Sequence, residues 1–312
     1  MIELVTLFGG GGFLGRYVAQ ELLRRGVRVR IAERDPRKAW FVKPLGGLGQ
    51  TQFVAADITR PELVDRAMAG ADAAINLVGL LKGDFQAVHV TGARNVAEAA
   101  KRAGAKALVQ VSAIGADPES PSAYGHTKGE GEQAVRAAFP DATIIRPSIL
   151  FGPEDQFVNR FAGMIRLLPA VPVIRPSVRF QPAYVADVAR AIASALLDAR
   201  AHAGKLYELG GPEILSMLDL YRRIADMTGR DPALLLVPDA VAQAMARFGG
   251  WAPGAPMTWD QWLMLQRDNV VSPNAKGFSA LAIDPSPLAA VAPDWLVQYR
   301  RHGRFGSISK AA

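Results

Sequence analysis

The stretch TLFGGGGFLGR, residues 6–16, sets four successive glycines between two apolar runs. Glycine inside an ordered element costs about 0.5–1 kcal/mol relative to alanine, so four together mark a place where side chains would obstruct something. The apolar run 2–8 before them reads as a strand, and 13–25 after them as an amphipathic helix. Gly9, Gly12 and Gly15 then form G-x-x-G-x-x-G between strand and helix. In that position the first glycine permits the tight turn, the second lets backbone approach a pyrophosphate, and the third lets the helix pack on the sheet. The helix N-terminus adds free N–H groups and a partial positive charge. A turn serving packing alone is the plainer alternative, but the strand before and the helix after favour a dinucleotide site.

Outward from the turn, short β-like runs alternate with helical ones. Strands are expected at 2–8, 27–32, 52–56, 73–78, 107–112 and 143–146, and helices at 13–25, 61–68, 86–103, 123–138 and 157–167. Val88, Ala93, Val96, Ala97 and Ala100 supply one buried stripe for the helix 86–103. Such alternation predicts an α/β fold: a Rossmann-type, doubly wound parallel sheet with right-handed crossovers. Past residue 150 prolines accumulate, and LLPAVPVIRP (167–176) reads as loop or short strand. A helix over 185–197, a strand over 205–209 and a helix over 217–228 follow, and PALLLVPDAVAQAMARF (232–248) reads as apolar helix material. The expected division is a dinucleotide-binding domain over 1–150, with 183–200 packing back on it, and a smaller interlocked lobe over 151–312.

Composition narrows the function classes. With 50% hydrophobic and 21% charged residues, the chain falls in the globular range. The absence of cysteine excludes disulfides, thiolate catalysis and cysteine-ligated metal. His89, His126, His202 and His302 lack ligand spacing, so no metal site is expected. No apolar run approaches the about 20 residues that cross a bilayer, and no targeting pattern opens the chain. A cytoplasmic protein is therefore expected. The net charge of +7 permits anionic partners, yet the arginines are dispersed and no aromatic platform accompanies them, so nucleic acid is not expected. Trp251, Trp259, Trp262 and Trp295 gather near the C-terminus, where tryptophan beside arginine suits a membrane interface or a protein partner, and equally the packing of a lobe.

GGGGFLG resembles the GGxGFxG turn of extended and atypical short-chain dehydrogenases/reductases, and other segments fall where that family places them. Asp57-Ile58 resembles the pair beside adenine, NLVG (76–79) the strand end lining the cofactor, and IRPSILFGPED (145–155) the segment after the catalytic helix. SAYGHTK holds Tyr124 and Lys128 at the family's YxxxK spacing. There a lysine ammonium one turn away lowers a phenol from about 10 toward neutrality and also holds the nicotinamide ribose. Ser112 is the tentative third catalytic member; Ala113 and Ile114 occupy the positions beyond it where the family's serine or threonine usually falls, and Ser122 lies too close to Tyr124 to replace it. The ribose selector RIAERDP offers both Glu33, which favours NAD, and Arg34, which favours NADP. Arg34, reinforced by Arg16, makes NADP(H) the expected cofactor, with NAD(H) as the alternative.

Within this superfamily, FGGGGFLGRYV, VSAIGAD, YGHTKGEGE, IIRPSILFGPEDQFVNRFA, KLYELGGPE and MLQRDNVV together resemble one branch, that of the dinucleotide-binding accessory subunit (alpha-subcomplex subunit 9) of respiratory complex I. Phe157, Asn159 and Phe161 are the telling residues, since reductase chemistry gives them no role. The resemblance implies cofactor contacts at Gly9, Gly12, Phe13, Leu14, Gly15, Arg16, Arg34, Asp57, Ile58, Val78, Gly79, Lys128 and Pro147. It implies a structural or assembly role beside complex I subunits at the membrane-facing side. An oxidoreductase or epimerase acting on a small carbonyl or sugar-nucleotide substrate through Tyr124 and Lys128 is the alternative, and an NADPH-sensing regulator a third.

Overall fold

A computed structural model describes residues 1–250, 252, 257–301 and 303. Trp251 and His302 lie outside them. Along the first half run β1 (Leu4–Phe8), α1 (Phe13–Arg24), β2 (Arg28–Glu33), β3 (Thr51–Ala55), α2 (Pro61–Met68) and β4 (Ala73–Asn76). These are followed by α3 (Ala93–Arg102), β5 (Ala107–Val111), α4 (Ala123–Ala138) and β6 (Thr143–Pro147). Next come β7 (Leu150–Phe151), α5 (Val158–Leu167), β8 (Ala170–Ile174), β9 (Arg179–Phe180), β10 (Ala183–Tyr184) and α6 (Val185–Leu197). The rest includes α7 (Ala199–His202), β11 (Leu206–Leu209), β12 (Leu215–Ser216), α8 (Met217–Thr228), β13 (Ala233–Val237) and α9 (Asp239–Ala244).

The chain forms two compact units. The first takes Met1–Pro147, Val185–Leu209 and Ser272–Asp284; the second takes Ser148–Tyr184, Gly210–Val271 and the described residues from Pro285 on. In the first unit seven strands pair in parallel in the order β11-β6-β5-β4-β1-β2-β3. This is the expected doubly wound sheet. β1, β4 and β5 are buried along their whole length and mostly apolar, with Thr6, Asn76 and Gln110 the buried polar exceptions, because helices cover both faces of the sheet. α2, α3 and α4 lie side by side on one face, where Val64, Met68, Val96, Ala100 and Val135 close the core over Phe8, Leu108 and Ile144. α1 and α6 pack together as a separate pair.

In the second unit Phe151, Phe161, Val171, Val173, Tyr221 and Leu296 form a separate apolar core. β8 pairs in parallel with β13, from Ala170 opposite Ala233 to Ile174 opposite Val237. The expectation of apolar helix over 232–248 is corrected here. Residues 233–237 are a strand, Pro238 ends it by denying the next backbone N–H, and α9 starts only at Asp239. Trp262 is buried and Trp295 stacks on Phe151 at 6.4 Å, so both are packing residues of this unit.

The segment FGPEDQFVNRFA is a self-bonded loop and helix start. The Asp155 carboxylate accepts from the Gly152, Phe157 and Asn159 amides, and the Asn159 amide group donates to the Gly152, Pro153 and Asp155 carbonyls. Burial raises the Asp155 carboxyl against the pull of those amides. Phe157 packs on Phe161 at 4.7 Å, and Phe161 on Tyr221 at 4.4 Å.

Candidate functional site

The sheet order reverses direction between β1 and β4, and a doubly wound sheet binds ligands beyond the carboxyl ends of its strands at that point. Gly9 follows β1, Arg34 follows β2, Asp57 lies two residues past β3, Val78 and Gly79 follow β4, Ser112 follows β5, and Pro147 ends β6. The parallel register therefore brings these predicted positions to one edge of one sheet.

Each of the four glycines meets a different obstacle. Gly9 sits at φ +81°, where a side chain is strained, and a Cβ there would lie 3.2 Å from Val78. At Gly10 a Cβ would meet Ile31 at 2.8 Å, and at Gly11 it would meet Ala39 at 2.7 Å. Gly12 is exposed, with only the Gly9 carbonyl within reach, so it offers bare backbone outward. Gly15 must be glycine because a Cβ would lie 2.3 Å from the Gly9 carbonyl oxygen. α1 starts at this turn with Gly12 as its N-cap and no acidic residue in its first turn, so no side chain of the helix itself offsets the positive end of its dipole. A cradle that excludes side chains and ends in free amide groups fits a dinucleotide pyrophosphate.

The selector residues take different places. Glu33 accepts a 2.7 Å hydrogen bond from the Gly11 amide, so its carboxylate braces the glycine turn. Arg34 is exposed and, among the described residues, has no hydrogen-bond or ion-pair partner. Arg16 lies over the Phe41 ring at 4.4 Å. Asp57 accepts from the Thr59 amide and hydroxyl, and the Asn95 amide group holds the Ile58 carbonyl at 2.8 Å. Burial would raise the Asp57 carboxyl, but Thr59 and the nearby Arg34 and Arg60 guanidiniums hold it below the usual range.

Around α4 the predicted reactive groups converge. The buried Lys128 ammonium donates to the Val111 carbonyl at 3.3 Å, beside Ser112, and lies 5.9 Å from the centre of the Tyr124 ring. Ser112 is anchored by its amide to the Ile145 carbonyl, and its buried hydroxyl has no hydrogen-bond partner among the described residues. Such a group costs free energy unless a ligand completes it. Ser122 caps α4, accepting from the Gly125 amide at 3.1 Å. The glycines of YGHTKGEGE make the close approach possible: a Cβ on Gly129 would lie 2.4 Å from the Pro118 nitrogen, and one on Gly131 2.1 Å from the His89 carbonyl oxygen.

The electrostatics differ from the simple expectation for a tyrosine–lysine pair. Burial pushes the Tyr124 phenol up to about 12. Burial also lowers Lys128 to about 8, opposed by Glu132 one turn away. Desolvation outweighs the ammonium's pull on the phenol.

His89 is the site residue that the sequence did not single out. It sits in a π-helical turn, Gln86–Gly92, stacked on Phe85 at 5.3 Å and edge-on to Tyr124 at 5.4 Å. Its Nε2 accepts from the Leu80 amide at 2.9 Å, while Nδ1 lies 3.0 Å from the Thr127 hydroxyl. That hydroxyl donates to the Ala123 carbonyl at 2.7 Å, so Nδ1 carries the proton and the ring is neutral. Burial first, and then the Lys128 charge, hold His89 down at about 3. The imidazole thus ties the strand-end segment 79–81 to α4. Its one sequence signal was the five-residue step from Val88 to Ala93, one π turn long, within an otherwise α-periodic stripe.

The chain is 34% identical over 324 residues to NADH dehydrogenase (ubiquinone) 1 alpha subcomplex subunit 9, mitochondrial, of Arabidopsis thaliana, covering 97% of this chain and 80% of that one. It is 32% identical over 257 residues to ceramide reductase of Caulobacter vibrioides, covering 80% of this chain and 78% of the other. In fold it matches the NADPH-dependent quinone oxidoreductase QOR2 of Escherichia coli, solved with NADPH, at a TM-score of 0.73 and 20% identity, over 94% of this chain and 99% of that one. The NAD dependent epimerase/dehydratase family matches residues 5–210, which span the glycine turn, the Tyr124–Lys128 helix and β11. With that match and a relative 34% identical over 97% of this chain, the chain belongs to the NAD dependent epimerase/dehydratase family of NAD(P)-binding, short-chain dehydrogenase-like proteins.

Proposed function

We propose that this protein holds NADP(H) as a stable part of its first unit and serves respiratory complex I as a structural or assembly accessory protein. The observation that carries the reading is the span of the similarity, 97% of this chain against a subunit named for that complex, well beyond a nucleotide-binding core. The tightly bonded 152–159 loop supports it, since that motif builds structure in the second unit and offers no reactive group. A phenol held near 12 is also poorly matched to proton exchange at neutral pH.

In this reading Gly12 and the first turn of α1 receive the pyrophosphate, and Arg34 with Arg16 the 2′-phosphate. Asp57 and Ile58 flank the adenosine, with Val78, Gly79 and Pro147 along the remainder. Lys128 holds the nicotinamide ribose. The bound dinucleotide would supply a hydride donor or acceptor, whether or not that capacity is used. The place of work is the inner face of the respiratory membrane.

A second reading is favoured by one specific observation, the buried Ser112 hydroxyl with no partner among the described residues. It is a reductase in which Ser112 orients a carbonyl, Tyr124 donates the proton and Lys128 stabilises the phenolate left behind. The relative named as a ceramide reductase supports that class.

One purification separates the two. Protein isolated from its own cells in mild detergent is expected to carry near one equivalent of NADPH by mass spectrometry and to migrate with complex I, with the nucleotide lost in Arg34→Ala. Empty protein migrating apart from the complex, together with an NADPH-dependent carbonyl reduction abolished by Tyr124→Phe, would establish the reductase instead.

A further inference from the structure

Along residues 36–48 the first unit exposes apolar side chains that its own core does not bury. Pro36–Leu45 is a 3-10 helix, a class in which side chains three apart line up in rows. In one row Ala39 and Val42 are fully buried, and Leu45 at its end is 38% exposed. The second row is Arg37, Trp40 and Lys43, and the third is Lys38, Phe41 and Pro44, so each outward row sets an aromatic ring next to a cation. Trp40 is 58% exposed and Phe41 41%. Just beyond, Leu48 stands at 107% exposure on the tip of Gly46-Gly47-Leu48-Gly49. That tip is held in shape: the Gly47 amide donates to the Gln50 side chain at 2.6 Å, the Gln50 amide donates to the Gly47 carbonyl at 3.2 Å, and a Cβ on Gly46 would lie 2.8 Å from Leu23 of α1.

We propose that residues 36–48 dock the protein on the surface of an anionic lipid bilayer, with Trp40 and Leu48 entering the interface and Lys38 and Lys43 meeting lipid phosphates. Charge complementarity selects this occupant. The one acidic residue of the segment's start, Asp35, is paired with Arg37 at 2.9 Å and also feels the Lys38 charge, so one carboxylate faces two cations. Lys43 has no ion-pair partner among the described residues, and residues 35–48 carry three cations against that one carboxylate in a chain of net charge +7. Lysine is depleted where proteins bury one another, whereas tryptophan with flanking lysine is the composition of a membrane–water interface. A lysine stem can lie along apolar surface while its ammonium reaches the phosphate layer. A lone leucine on a braced glycine tip gains free energy only by leaving water.

The proposal rests on the first unit alone, and purified full-length protein with protein-free vesicles tests it without complex I. In flotation at physiological ionic strength, the protein is expected to rise with vesicles of phosphatidylglycerol and phosphatidylcholine and to stay behind with phosphatidylcholine alone. Trp40→Ser with Leu48→Ser should lower partitioning about tenfold or more. Lys38→Gln with Lys43→Gln should lower it about tenfold and flatten its dependence on salt. All four side chains are exposed, so circular dichroism and nucleotide content should match wild type in both variants. Failure of the wild type to float with anionic vesicles would overturn the proposal, as would flotation unchanged in both variants. Variants that lose migration with complex I in detergent yet float like wild type would make the surface a protein interface, and overturn it as well.

Discussion

At the scale of single residues, the neutral ring of His89 carries a consequence for stability. Its pKa is lowered from 6.5 to about 3 in the fold, so between those values the unfolded chain binds a proton that the native protein refuses. Stability must therefore fall as pH drops below about 6.5, with a slope approaching about 1.4 kcal/mol per pH unit, and this contribution is flat above it. His89→Gln removes that titration while also losing ring stacking and hydrogen bonds. The variant should be less stable than wild type at pH 7, and the gap should narrow toward pH 4.5 in urea melts. A gap that stays constant over this range would show that the imidazole charges in place. The sequence displayed Tyr124 and Lys128 because a family spacing marks them, and Ser112 because it ends the fifth expected strand, whereas His89 had only the five-residue step from Val88 to Ala93. Its role comes from two backbone and hydroxyl partners at Leu80 and Thr127, nine positions before it and thirty-eight after it. The same holds for Glu33, which reads as a ribose ligand until its bond to the Gly11 amide is seen.

Among the elements, helix α4 is defined by the side chains it lacks. Gly131 admits the His89 carbonyl, and Gly131→Ala would drive a methyl group into backbone 2.1 Å away. Overpacking of this kind costs about 1–3 kcal/mol, and rigid main chain belongs at the upper end. Gly163 lies inside α5 with nothing within 4 Å of its Cβ position, so Gly163→Ala should instead gain about 0.5–1 kcal/mol. Denaturant midpoints of the two variants are expected on opposite sides of wild type. A neutral Gly131→Ala would mean that the π turn yields easily and does not fix His89. The periodic elements of residues 1–147 were legible because each is a single run with one period and clear turn residues between. The 3-10 helix 36–45 was not, since PRKAWFVKPL has neither an α nor a β period and only a row of three pairs Ala39 with Val42. The strand 233–237 failed for another reason. ALLLV is a continuous apolar run, a pattern shared by buried strands and helices, and Pro238 was the one mark of where it had to stop.

For the whole molecule, chain order and structural unit diverge. The first unit draws α6 and β11 from residues 185–209 and a further segment from 272–284. β11 pairs with β6 along Ile144–Pro147, and α6 packs on α1. Glu208 on β11 gathers the rest: its carboxylate lies 3.4 Å from Arg146, which also grips Glu132 at 2.8 Å, and its other oxygen accepts from the Ser272 amide at 2.8 Å. Burial works against the Arg146 charge, yet the two carboxylates hold its pKa above the usual value. A fragment ending at residue 150 would keep every glycine of the turn and the Tyr124–Lys128 helix. It would nonetheless leave the α6-facing side of α1 bare, β6 as an open edge, and Arg146 short of one carboxylate. An uncovered strand edge and an uncovered helix face invite association. Such a fragment is therefore expected to aggregate or to show α/β circular dichroism without a cooperative melt. A chain in which short linkers join 1–147 to 185–209 and 272–284 should melt cooperatively as a monomer. Cooperative, monomeric unfolding of the 1–150 fragment would mean that the glycine turn and its six strands form a sufficient core, and that the later segments belong to the unit by contact without being needed for its folding.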